Sequence, residues 1–67
     1  MERIPQHIID QMRQSLLGKR VRYRDIVGEC KYFGYNEYLP KWGLQITLDR
    51  MPLSNVDIKH IFIVDEL

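Results

Sequence analysis

Gly18 separates two kinds of periodicity, and that change of period constrains the fold more than any other feature of the 67-residue chain. Before it, Ile4, Ile8, Ile9, Met12, Leu16 and Leu17 recur at the spacing of one helical face, while Gln6, Asp10, Gln11, Arg13 and Gln14 fill the opposite side. After it, apolar and polar residues alternate, the pattern of strands with one face buried. Pro5 suits the first helical position, where a missing N–H has no partner to lose, and Gly18 suits the left-handed residue just past a helix end. Together they predict a helix over 5–17. A helix of about three and a half turns does not persist alone in water, so its apolar face must lie on the strands that follow.

Those strands read off in order. Residues 19–24 place Val21 and Tyr23 on one side and Arg20, Arg22 and Arg24 on the other. Asp25 with Ile26-Val27-Gly28 reads as a bend, and residues 28–33 as a second strand. The phase of that strand is open: either Cys30 and Tyr32 face inward with Glu29 and Lys31 outward, or Phe33 displaces Tyr32 from the core. Residues 34–43 hold two glycines, an Asn and a Pro and form the longest loop, carrying Tyr35, Tyr38 and Trp42. Leu44, Ile46 and Leu48 alternate with Gln45, Thr47 and Asp49 as the clearest strand of the chain. Residues 49–52 turn the chain, 53–56 form a short edge strand with Pro52 before it, Asp57 caps a helical turn through His60, and 61–64 form the last strand. The fold class is therefore mainly β with one N-terminal α-helix. Four to five short, mostly antiparallel strands curl into a small barrel over about 18–64, and 1–67 make a single domain.

The Gly18-Lys-Arg-Val21 opening, the second strand led by Gly28, the loop, the alternating central strand and the single turn Asp57-Ile-Lys-His60 before a last apolar strand resemble Src-homology-3-like small barrels. The resemblance covers residues 18–64, with the helix as an addition in front. It implies binding rather than catalysis. The acidic loop and paired aromatics by which signalling members grip proline-rich peptides have no residue-by-residue counterpart here, so that activity is not implied.

Chemistry is sparsely provided for. A chain of this length buries only about 60% of its unfolded surface, too little to enclose a deep substrate cavity. Cys30, the single cysteine, sits in a strand and reads as a small buried hydrophobe. His7 and His60 have no defined spacing to it, and a structural zinc site needs more Cys and His ligands than one chain offers. Gly18-Lys19-Arg20 lacks the residues of a phosphate-binding loop. Asp25 and Glu29 stand among basic residues as ion-pairing partners, and the remaining carboxylates are scattered, ending in Asp65-Glu66. No enzymatic activity, cofactor or small-molecule substrate is expected. The lack of a long apolar run and the single thiol make the cytoplasm the expected compartment.

Two binding faces remain. Arg20, Arg22 and Arg24, about 6.6–6.8 Å apart along one side of a strand, with Lys31 extending the row, form a track for nucleic-acid phosphates, and the nearby rings supply stacking surface. The alternative is a solvated face balanced by Asp25, Glu29 and Glu37, which a net charge of only +1 favours. Tyr35, Tyr38 and Trp42 either close one end of the barrel or form an exposed protein-contact site for another protein or a second copy of the chain. A non-enzymatic protein-binding or self-assembling module using these rings is the primary expectation, and a nucleic-acid-binding accessory protein using the basic strand is the second.

Overall fold

The computed structural model describes residues 3–64, which leaves Asp65 and Glu66 outside the described residues. Among the described residues one helix, α1 (Gln6–Leu16), precedes five strands: β1 (Arg20–Tyr23), β2 (Ile26–Tyr35), β3 (Leu44–Leu48), β4 (Met51–Leu53) and β5 (Ile61–Ile63). Single 3₁₀ turns lie at Pro40–Trp42 and Ile58–His60. All strand pairings are antiparallel, in the order β4-β3-β2-β1-β5. Because β4 and β5 do not pair with each other, the sheet has two edges and does not close.

The helix is one residue shorter at each end than its periodicity predicts. Pro5 is extended, with ψ at 147°, and so precedes the helix instead of opening it; its carbonyl accepts from the amides of Ile8 and Ile9, each at 3.1 Å. At the other end Gly18 takes φ +79° and the Lys19 amide donates to the Leu16 carbonyl at 2.9 Å, a left-handed stop at the expected residue. Ile9 and Leu16 are buried under the helix, and Ile4 and Met12 pack at its margin.

The expected bend at 25–28 is instead a two-residue connection, Arg24-Asp25, with Tyr23 directly opposite Ile26. Pairing therefore begins at once, and β2 runs from Ile26 to Tyr35. Arg24 takes φ +56° in that turn and leaves the strand. The phase of β2 resolves through a bulge. Opposite β3, Cys30 pairs with Leu48 but Tyr32 pairs with Thr47, so Lys31 is an extra residue that resets the alternation. Cys30 and Phe33 both point into the core, while Lys31 and Tyr32 face solvent. An uninterrupted period of two permits no such arrangement, and of the two phases left open by the sequence it is Phe33, not Tyr32, that enters the core.

The turn after β3 is only Asp49-Arg50, so Pro52 lies inside β4, opposite Thr47, instead of before an edge strand at 53–56. An outermost strand tolerates proline because one side of it needs no donor. Val56 enters the core, and its amide donates to the Leu44 carbonyl at 3.0 Å. Phe33, Ile9, Ile46, Leu48, Val21 and Cys30 are the largest fully buried side chains and belong to one core cluster shared by α1 and the sheet.

Asp57 caps the second 3₁₀ turn as its position predicts, accepting from the Lys59 amide at 3.1 Å, with the Lys59 ammonium 3.6 Å from its other oxygen. The Lys59 amide, helped by that ammonium and by His60, holds the Asp57 carboxyl below the usual aspartate range. A folded value below the unfolded one stabilises fully above the ordinary aspartate pKa, about 3.9, and that contribution is lost as pH falls toward the lower folded value. Thermal melts taken at successively lower pH are expected to show a shallower acid limb for Asp57→Asn than for the parent. Identical limbs would show that the Lys59 contacts do not bias this carboxyl.

Candidate binding surface

The loop 36–43 is held by its own hydrogen bonds before any ring is considered. The Asn36 side-chain oxygen accepts from the amides of Tyr38 and Leu39, both at 2.8 Å, a local turn of the kind Asn favours. Pro40, whose φ is preset, then opens a single turn in which the Trp42 amide donates to the Leu39 carbonyl at 2.9 Å. The Asn55 amide donates to the Trp42 carbonyl at 2.8 Å and ties the loop to the segment after β4. On this frame the Tyr38 side chain is 92% exposed and Trp42 41%, with Leu39, Pro40 and Lys41 also at the surface.

Tyr35 stands apart from them. It is half-buried at the end of β2, its hydroxyl accepts from the Ile4 amide at 3.0 Å, and the Arg3 guanidinium lies 4.2 Å from the centre of its ring. These contacts fasten the segment before α1 to the sheet, so of the three rings expected on the loop only Tyr38 and Trp42 are presented. Tyr32 was missed by the period-two reading; the bulge exposes it, and its hydroxyl donates to the Tyr35 carbonyl at 3.2 Å. With Arg3, Arg13, Tyr35, Asn36 and Tyr38 it lines an open cleft of about 370 Å³. Arg13 is oriented there by a 2.8 Å bond from its Nε to the Phe33 carbonyl and by a 3.3 Å contact with Asp10.

The basic strand presents a shorter row than its spacing predicts. Arg20 and Arg22 lie on the exposed face of β1, but Arg24 sits in the turn, its guanidinium 5.6 Å from the centre of the Tyr23 ring. Arg22 lies 5.5 Å from the centre of the Phe62 ring across the β1–β5 pair. Lys31, the proposed extension, pairs with Glu29 at 3.2 Å, and Glu29 is directly opposite Arg20 in the register. The three guanidiniums in line are thus two, with a carboxylate between them and Lys31.

Comparison with protein-family models, with curated proteins and with solved structures returns no match to this chain. The remaining chemistry-bearing residues are accounted for by packing. Cys30 is buried, its thiol pointing at the Tyr32 carbonyl at 3.6 Å, and burial pushes the thiol pKa up, away from the reactive thiolate. His60 meets the Tyr23 ring edge-on at 6.3 Å, and the Tyr23 hydroxyl accepts from the Asp57 amide at 3.0 Å. His7 lies on the exposed side of α1. Among the described residues no three His, Cys, Asp or Glu side chains are gathered where they could hold a metal ion, and no helix is long and apolar enough to cross a membrane.

Proposed function

We propose that this chain is a non-enzymatic binding module that engages another protein through the loop 36–43, with Tyr38 and Trp42 as its anchors. The observation that carries the reading is the 92% exposure of Tyr38 on a loop whose backbone is already hydrogen-bonded in place. A large ring on a pre-ordered backbone loses little further conformational freedom when it enters a partner's pocket, which is why such residues dominate binding energies. The finer architecture in this proposal is an opened Src-homology-3-like barrel. Its support is the return of β5 to β1 after one 3₁₀ turn, which places first and last strands side by side.

The test is retention of a partner from cell lysate by the immobilised protein, followed by affinity measurement with the double variant Tyr38→Ala/Trp42→Ala. Loss of two central aromatic anchors is expected to cost about 2 kcal/mol or more, a thirtyfold or greater weakening. A partner held equally well by the double variant would refute the assignment. Nucleic-acid binding through Arg20, Arg22 and Lys31 is the competing proposal, supported by the shared exposed face of Arg20 and Arg22. It predicts binding to labelled oligonucleotides that weakens steeply with salt and survives the loop substitutions.

A further inference from the structure

The two edges of the open sheet are guarded differently. At β4, Leu48 and Met51 flank the two-residue turn and form the closing hydrogen-bonded pair, so the next residue, Pro52, turns its nitrogen outward. Proline has no N–H, and that edge therefore lacks an outward donor at the centre of its strand. Natural edge strands are blunted in this way against pairing with other chains.

β5 carries no such device. The Val64 amide donates to the Arg20 carbonyl at 2.8 Å, and the alternation of an antiparallel ladder makes Arg22–Phe62 the next hydrogen-bonded pair. The peptide groups of Ile61 and Ile63 then face away from β1. The Ile61 amide is used by the Ile58 carbonyl within the preceding turn, which leaves the Ile63 amide and the carbonyls of Ile61 and Ile63 along the outer edge. The strand contains no charge, proline or bulge, and Phe62 and Ile63 are 51% and 47% exposed. Beside it, Met12 and Leu16 of α1 together with Ile61 and Ile63 line an open apolar groove of about 510 Å³.

We propose that β5 joins two copies of this chain, antiparallel about a two-fold axis, into one continuous sheet. Self-pairing is favoured because Ile61-Phe62-Ile63 is apolar throughout, so a two-fold joint sets apolar side chains against apolar ones at every position. Antiparallel pairing centred on Phe62 sets Ile61 against Ile63 of the second copy and Phe62 against its own counterpart, with no like charges opposed. Each Ile63 amide donates to the Ile61 carbonyl of the second copy. Both α1 helices fall on one face of the joined sheet, where the two apolar grooves meet and cover one another. A head-to-tail joint of β5 on β4 lacks this match, because Pro52 offers no donor at its centre. The contact is separate from the ring-bearing loop and uses neither Tyr38 nor Trp42.

Sedimentation equilibrium of the full chain over a rising concentration series tests this, with amide hydrogen exchange as a second readout. The parent is expected to approach twice the mass of one chain, and protection of the Ile63 amide is expected to rise with concentration. Ile63→Pro removes the outward N–H and no donor to β1, so it is expected to sediment as a single chain with a circular dichroism spectrum close to the parent's. Ile63→Lys, at a half-exposed position, is expected to do the same and decides the matter should the proline variant fail to fold. A parent that stays a single chain throughout would overturn the proposal, as would folded variants that dimerise like the parent. Dimerisation abolished by Tyr38→Ala/Trp42→Ala would also overturn it, by assigning self-association to the loop.

Discussion

Phe33→Ala is expected to remove a large part of this protein's stability. The ring is the largest fully buried side chain, and it lies opposite Ile46 across the β2–β3 pair. Truncating such a phenylalanine costs about 3–5 kcal/mol, the transfer energy of the ring plus the cavity it leaves. A domain of this length has a total stability of about 3–10 kcal/mol, so the loss consumes a large part or all of it. Urea unfolding followed by circular dichroism measures the effect. Tyr32→Ala is the informative companion: its ring is 41% exposed, and its hydroxyl donates to the Tyr35 carbonyl. It is expected to cost about 1 kcal/mol. Were the two costs exchanged, the bulge at Lys31 and the facing of β2 would both be wrong.

Gly43→Ala is expected to reach both the fold and the loop. Gly43 adopts φ +62° and ψ −145°, a conformation essentially confined to glycine, and a Cβ placed there would stand 2.6 Å from the Asn55 side-chain oxygen. The strain alone is about 1–3 kcal/mol. Its consequence extends to Trp42, because the Asn55 amide holds the Trp42 carbonyl and Asn55 is the residue the new methyl displaces. Trp42 is the one tryptophan of the chain, so its fluorescence reports on this loop alone. A lowered denaturation midpoint with shifted tryptophan emission is the expected result, accompanied by weaker binding wherever Trp42 serves as an anchor. A variant with the parent's midpoint and emission would show that the loop is not held through this residue.

What was readable locally and what was not divide along a physical line. The helix and its stop at Gly18 followed from spacing and one glycine, because helical hydrogen bonds are made within a few residues of each other. The alternation of Leu44, Ile46 and Leu48 placed β3, although Asp49 falls in the turn and Gln45 is buried against the alternation, and the Asp57 cap was legible for the same reason of short range. The Arg24-Asp25 turn was missed because it lacks the Asn-Gly or Asp-Gly signal of tight hairpins, and with it went the triple row of guanidiniums. The facing of Tyr32 stayed open in the sequence because a bulge is a property of two paired strands and leaves no period in either one alone.

The amino-acid order by itself determined that a short amphipathic helix precedes a run of antiparallel strands, that Ile9, Val21, Ile46 and Leu48 turn inward, and that Tyr38 and Trp42 are carried on a loop. Tertiary structure alone decided that Tyr35 is tied into the end of β2 while Tyr38 and Trp42 meet solvent, that Arg20 stands opposite Glu29 across the β1–β2 pair, and that the sheet stays open with Pro52 on one of its edges. The reason is range: periodicity records which side of an element is apolar, whereas exposure, charge pairing and free edges depend on which distant segment comes to lie beside it.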